Sequence, residues 1–287
     1  MPSVVWIDGT WHDRSDAVVS VFDHGLLYGD GVFEGIRSYG GRVFRLDEHI
    51  QRLYDSAKAI WLEIPVARDA MARMVEEGVK RSQLKDSYIR LVVTRGVGDL
   101  GLDPRKCEKP TVFCIFDTMR LWPNDRYEKG LVAITAATPI HHREALSPRV
   151  KSLNYLSHIL AKVEGIAAGV DEVIMLDAAG YIAEASGMNL FAVSNSTLRT
   201  PPPYAGILRG VTRDTIIELG RDAGYAIEEV PMNRYDLYTA DEVFLTGTAA
   251  EVVAISKLDG RAIGNGVAGP VTRDLATRFR AFVTRGD

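Results

Sequence analysis

The stretch that most limits the possible folds is VFEGIRSYGGRVFRLDEHIQRLYDSAKAIW, because the period of the chain changes inside it. Up to Leu46 it reads as a β-hairpin, with Gly40-Gly41 supplying the positive φ angles of a tight turn. From there the pattern is helical: Ile50, Leu53, Ala57 and either Ile60 or Trp61 fall on one face, with Asp47 expected as the cap. A second helix is predicted over residues 67–82. The β-branched run YIRLVVTRGV and, after a Gly/Asp/Pro-rich loop, TVFCIFD then read as strands, as does Val4–Ile7 near the start. A hairpin, paired helices and further strands describe an α+β unit ending near Asp117.

The polar segment TMRLWPNDRYEKG, with Pro and Gly, suits a linker. This divides the chain into a small domain over residues 1–118, a linker over 119–129 and a larger domain over 130–287. In the larger part LVAITAATPI reads as a strand, and VKSLNYLSHILAKVEG as a helical run that Gly169 stops. DEVIMLDAAGYIAEASGMNLFAVSN reads as a hairpin turning at Asp177-Ala178-Ala179-Gly180. A strand is expected to enter GILRG, a helix to follow over VTRDTIIELGRDAG, and DEVFLTGTAAEVVAI to form strand, turn and strand.

With 46% hydrophobic and 25% charged residues the chain has a globular composition. Its formal net charge of -4 offers no footprint for nucleic acid or an anionic membrane, so small molecules are the expected partners. No run suits a signal peptide or a membrane span, which predicts a cytoplasmic protein. Cys107 and Cys114 match no metal or redox spacing, so reduced thiols and no metal site are expected.

Several short features could carry chemistry. Lys151 stands ahead of an apolar helical run. It either decorates a helix N-terminus or, desolvated by Leu153, Tyr155 and Leu156, serves as a nucleophilic amine. GILRGVTRDTI sets Gly210, Val211 and Thr212 at a helix start, where free N–H groups favour an anion. TGTAAE offers threonine hydroxyls in a small-residue turn. Arg52 lies beside a buried helix stripe, and Glu184 at a strand end. Each alone is more often a cap, a turn, a snorkelling arginine or a solvated acid. Together they match the needs of pyridoxal 5'-phosphate: an amine for a Schiff base, an acid for the ring nitrogen and a cradle for phosphate.

The motifs DHGLLYGDGVFEGIRSYGGRVFRLDEHIQRLYDSAK, KSLNYLSHILAKVEG, YIAEASGMNLF, GILRGVTRDTIIELG and DEVFLTGTAAEVV resemble the fold type IV pyridoxal phosphate enzymes, most of all the branched-chain amino acid aminotransferases. The resemblance implies a two-domain α+β and α/β fold like that of D-amino acid aminotransferase, with a small N-terminal domain and a larger one built on a β-barrel-like core. It makes Lys151 the Schiff-base lysine and proton shuttle, Glu184 the partner of the pyridine nitrogen and Tyr155 the partner of the ring's 3-oxygen. Arg52, Val211, Thr212 and Thr248 match phosphate ligands, and Leu208 belongs to the same cofactor set. Tyr28, Phe33, Tyr88, Arg90, Thr248 and Ala249 match the substrate pocket. The implied reaction is ping-pong transamination between Leu, Ile or Val and 2-oxoglutarate.

It also implies a homodimer or larger homo-oligomer, with the site at a domain interface and the Tyr28 region reaching in from the partner subunit. Met188 and Arg209 depart from the family pattern. D-amino acid transaminases, R-selective amine transaminases and aminodeoxychorismate lyases share the same motifs, and a silent cofactor-binding homologue is the rival from another class. Arg90, two residues after Tyr88, favours the branched-chain enzymes and is the expected cation for a distal carboxylate; pairing with Asp86 is its structural alternative.

Overall fold

The glycine pair closes the expected hairpin with φ of 58° at Gly40 and 82° at Gly41, joining β3 (Gly31–Tyr39) to β4 (Arg42–Val43). They belong to a computed structural model that describes residues 4–285, so the extreme ends of both expected domains, 1–3 and 286–287, lie outside the described residues. The chain separates into two compact units, one of residues 1–119 and 150–154, the other of residues 120–149 and 155–287.

In the first unit β1 (Val4–Ile7), β2 (Thr10–Asp13), β5 (Tyr88–Thr94) and β6 (Thr111–Asp117) complete an antiparallel six-stranded sheet of order β2-β1-β6-β5-β3-β4. A short helix, α1 (His24–Tyr28), precedes β3, and α2 (Leu46–Ala59) and α3 (Arg68–Ser82) follow the hairpin. The apolar stripe predicted for α2 is the buried one. Leu53 and Ala57 pack with Val32, Ile36, Ile89 and Leu91 in one core, whereas Trp61 is 73% exposed. Each fully buried Leu or Ile contributes about 1.5–3 kcal/mol, and Leu53→Ala would cost about 2–5 kcal/mol. Asp47 does not cap α2. The cap position is Arg45, left-handed at φ 49° with no side-chain cap bond, and Asp47 sits in the first turn beside the positive end of the helix dipole.

The second unit begins inside the expected linker. Residues 124–129 form α4 (Asn124–Lys129), and Leu121, Trp122 and Tyr127 pack on this unit's core, so the polar spelling of the segment hides three anchoring side chains. Then come β7 (Leu131–Thr135), α5 (Leu156–Ala167), β8 (Glu172–Leu176), β9 (Ile182–Ala185), β10 (Asn189–Ser194), β11 (Thr197–Thr200), α6 (Val211–Asp222), β12 (Ala226–Glu229), α7 (Arg234–Tyr238), β13 (Glu242–Gly247), β14 (Glu251–Leu258), β15 (Arg261–Ala262) and α8 (Pro270–Arg285).

The sheet order β12-β11-β10-β13-β14-β7-β8-β9 puts β9 five strand spacings from β10, roughly 24 Å in a flat sheet. Only residues 186–188 join them, and Ala185 to Asn189 spans at most roughly 14 Å. The sheet therefore curls on itself around Leu131, Ile174, Ile182, Leu190 and Leu245. This is the barrel-like core the resemblance implies. The expected long second arm of the Asp177 hairpin is thus two strands broken at Ser186-Gly187-Met188. No strand enters GILRG; residues 207–210 form a loop between Gly206 and α6. Among the described residues no helix is long and apolar enough to cross a membrane, no metal-binding cluster occurs, and both cysteines are free thiols.

Candidate functional site

Lys151 does not open a helix. It lies four residues before Tyr155, the cap position of α5, in a segment that counts with the first unit and pairs with β3 through a bridge between Val32 and Ser152. Both of its peptide groups are engaged. The Lys151 N–H donates to Ser56 Oγ on α2 at 3.2 Å, and its carbonyl accepts from the Phe33 N–H at 3.0 Å. The Lys151 ammonium sits 4.6 Å from the centre of the Phe33 ring, an aromatic face that attracts a cation. Leu156, expected to help desolvate this lysine, is 66% exposed on the first turn of α5.

Beneath this segment lies a cluster the sequence reading did not assemble. Arg52 grips Glu34 with two nitrogens, Nε to Oε1 at 2.7 Å and Nη2 to Oε2 at 2.8 Å, while His49 Nδ1 donates to Glu34 Oε2 at 2.7 Å. Glu34 is fully buried, and Arg52 keeps partial exposure. Burial alone would raise the Glu34 carboxyl, but the charges and hydrogen bonds of Arg52 and His49 outweigh it and hold the group well below the usual carboxylate range. Burial lowers His49, against the pull of Glu34 and with help from the positive charges of Arg52 and Lys151. His49, Arg52 and Ser56 fall at helical spacing on one face of α2.

The other face of β3 carries Phe33. The Arg90 guanidinium lies 4.6 Å from the same ring centre and donates from Nη2 to the Tyr88 hydroxyl at 3.1 Å. Its Nε is buried with no hydrogen-bond partner, and among the described residues Arg90 forms no ion pair. Asp86 instead accepts from the Gly40 N–H at 2.8 Å, which removes the structural alternative for Arg90. Tyr28 ends α1, its hydroxyl donating to the Leu100 carbonyl at 2.6 Å. A cleft of about 740 Å3 in this unit, lined in part by Tyr54, Trp61, Arg95 and Arg105, contains none of the expected site residues.

The second unit gathers the remaining residues around Asn189. Buried Glu184, on β9, accepts at Oε2 from Asn189 Nδ2 and from the Leu208 N–H, both at 3.1 Å. The same Asn189 amide donates to the Leu208 carbonyl at 2.8 Å, tying the 207–210 loop to the strand. A Cβ at Gly210 would stand 2.1 Å from Asn189 Oδ1, so only glycine fits where α6 begins. No side chain caps that helix, which leaves the N–H groups of Val211 and Thr212 at a positive dipole end, suited to an anion. Strand register sets Asn189 opposite Thr246, and the turn carrying Thr248 and Ala249 follows directly. Thr246 Oγ1 is buried and unpartnered.

Tyr155 stacks on His158, ring centres 4.6 Å apart, and His158 Nδ1 donates to the Ser186 carbonyl two residues past Glu184. The two departures from the family pattern are structural. Met188 is buried in the core, and a Cβ on Gly247 would stand 3.0 Å from its Cγ; exposed Arg209 pairs with Asp214 at 2.7 Å. The first unit brings Lys151, Tyr88 and Arg90 together around Phe33 and sets Arg52 with Glu34 on the opposite face of β3; the second gathers Glu184, Leu208, Val211 and Thr212. Glu34, His49, Ser56 and Asn189 are additions from the structure. Alternation could have exposed Glu34, which shares a strand face with Val32 and Ile36.

The family model for class IV amino-transferases matches residues 31–258. A putative branched-chain-amino-acid aminotransferase of Methanocaldococcus jannaschii is 52% identical over 281 residues, covering 98% of this chain and 96% of the relative. Two crystal structures of the T.th. branched-chain amino acid aminotransferase are each 37% identical over 99% of this chain and 95% of theirs. The one with pyridoxamine 5'-phosphate superposes with a TM-score of 0.95, and the one complexed with N-(5'-phosphopyridoxyl)-L-glutamate with 0.94.

Proposed function

The chain belongs to the class IV amino-transferase family, and on that premise we propose that it is a branched-chain amino acid aminotransferase using pyridoxal 5'-phosphate, exchanging amino groups between leucine, isoleucine or valine and 2-oxoglutarate by a ping-pong route. The observation that carries the chemistry is the setting of Lys151, whose backbone is held on both sides while its amine faces an aromatic ring.

The residues present suit the cofactor. An uncapped helix start beside an obligatory glycine and the partly exposed Arg52 fit a phosphate, and buried Glu184 fits a protonated ring nitrogen. Bound, pyridoxal 5'-phosphate would supply a carbonyl to react with amines and a ring that withdraws electrons from the substrate's Cα. Lys151 would hold the cofactor through its amine, and the same amine is the group that would carry a proton to and from the substrate's Cα. Glu184 keeps the ring nitrogen protonated, and Asn189 with the Leu208 N–H orients its carboxylate. Tyr155 would offer its hydroxyl to the ring's 3-oxygen. Arg52, the N–H groups of Val211 and Thr212, and Thr248 are the groups that would bind the phosphate, and Leu208 belongs to the same cofactor set.

Phe33 and Tyr28 would offer aromatic surface to a branched side chain, and Ala249 is the small residue assigned to the same substrate. Tyr88 and Arg90 receive the distal carboxylate of glutamate or 2-oxoglutarate, the role to which the unpartnered Arg90 Nε points. Two copies associate through apolar surface such as the α5 face, where Ile159 and Ile166 are 56% and 68% exposed, and the protein works in the cytoplasm.

The test follows cofactor absorbance as L-leucine, L-glutamate, D-alanine or R-1-phenylethylamine is added, with borohydride trapping and peptide mapping of the labelled lysine. Conversion by the two L-amino acids and a label on Lys151 are expected. Conversion by D-alanine or the amine alone would move the chain to another branch of the fold, and a label elsewhere would remove Lys151 from its role.

A further inference from the structure

A carboxylate in an apolar core needs a reason. Glu34 shares its face of β3 with Val32 and Ile36, both fully buried, and is itself 0% exposed. Burying a charge there costs several kcal/mol, and a buried ion pair is often no more stabilising than apolar residues of the same volume. Stability alone therefore accounts poorly for Glu34. Its contacts are more specific: both oxygens receive the Nε and Nη2 of Arg52, and His49 closes the set from one turn earlier on α2.

From this geometry we infer that Glu34, held in place by His49, is a positioning residue that sets the plane of the Arg52 guanidinium for the cofactor's phosphate. The inference rests on the proposed role of Arg52. A long arginine side chain loses rotamer freedom when it grips an anion, and a two-pronged bond to a buried carboxylate removes that freedom beforehand. The same helix, through Ser56, holds the peptide of Lys151, so α2 ties the phosphate cation and the catalytic amine to one rigid element.

The sign of one substitution separates this from simple electrostatics. Glu34 carries the same charge as a phosphate bound by its partner, so charge alone predicts that Glu34→Gln tightens cofactor binding. Positioning predicts weakening, because an amide cannot accept both arginine nitrogens. Dissociation constants of the apo-protein for pyridoxal 5'-phosphate and for pyridoxal, which lacks the phosphate, are read from fluorescence titration. Glu34→Gln should weaken pyridoxal 5'-phosphate roughly ten-fold or more, the scale of one lost charge-assisted hydrogen bond, and leave pyridoxal unchanged. In an Arg52→Ala background it should add nothing.

Tighter or unchanged pyridoxal 5'-phosphate binding overturns the inference, as do equal losses for both ligands or an additive double variant. The underlying reading fails separately, if Arg52→Ala leaves the preference for the phosphorylated ligand intact. Should Glu34→Gln not fold, Arg52→Lys decides, since lysine keeps the charge but not the two-pronged grip. It should lose nearly as much affinity as Arg52→Ala, and wild-type affinity would refute positioning.

Discussion

The Lys151 region and the Glu184 region position their key groups by different physics. Around Lys151 the fixed partners are charged: Arg52 and Glu34 form a buried ion pair with His49 attached, and two cations lie against Phe33. Around Glu184 the donors are neutral, the Asn189 amide and the Leu208 peptide, and the anion site proposed beside them is a bare helix start. Charges reach further but respond to pH, whereas amides and peptides hold one geometry whatever the proton supply. Substitutions in the two regions should therefore fail in different ways.

The largest effect belongs to Lys151→Ala. Loss of the amine removes both the covalent anchor and the proton carrier, so the rate with L-leucine and 2-oxoglutarate should fall at least about a thousand-fold, while circular dichroism stays native. Residual turnover near wild type would hand the chemistry to another base. In the neutral region, Glu184→Gln should slow the chemical step roughly a hundred-fold with the cofactor still bound, since an amide cannot stabilise the ring proton. Stopped-flow half-reactions measure it; an unchanged step would make Glu184 structural.

Arg90→Leu sharpens the contrast within the charged region. One lost charge-assisted bond to a carboxylate is worth roughly 1.5–3 kcal/mol, so KM for glutamate and 2-oxoglutarate should rise about ten-fold or more. A leucine side chain gains about 0.8 kcal/mol per buried methylene without any cation, and its KM should hardly move. Equal losses for both substrates would assign Arg90 to the shared α-carboxylate or to the fold.

How far such sites are legible in sequence follows from what each signal depends on. Strand β6, the extent of α6 and the buried face of α2 depend on local pattern, and they lie where that pattern puts them. The Lys151 segment defeated that reasoning, because its partners are β3 and Ser56, over ninety residues earlier. GILRG reads as a strand by composition, but the Leu208 peptide is spent on Glu184, not on a ladder. Asn189 had no local signal at all; its amide matters only because the sheet curls and brings the 207–210 loop against β10. Motif resemblance pointed to Lys151, Glu184 and Arg52 without geometry, and carried no signal for Glu34, which bonds Arg52 from inside the core, or for His49, which bonds Glu34.

The smallest expected effect is also the one that separates the two regions by pH. His49 is buried and its imidazole is lowered, by burial first, from the ordinary value of 6.5, so the folded protein binds this proton less readily than the unfolded chain. Stability must then be full above 6.5 and decline as the pH falls below it, down to the lowered folded value. Glu34 adds a second decline in the same direction below its ordinary 4.5, because its folded carboxyl is held lower still. One full proton corresponds to at most about 1.4 kcal/mol per pH unit, and His49 alone reaches that limit only while the unfolded chain is protonated and the folded one is not. Thermal midpoints of the wild type and of His49→Gln, measured from pH 7.5 to 5, should differ most on the alkaline side, where the variant lacks the hydrogen bond to Glu34, and approach each other on the acid side, the variant losing less. Asn189→Ala, which removes a donor without a titrating proton, should lower the midpoint by a similar amount at every pH in that range. If the two variants instead share one pH profile, the division between a charged and a neutral region does not describe how this protein holds its site.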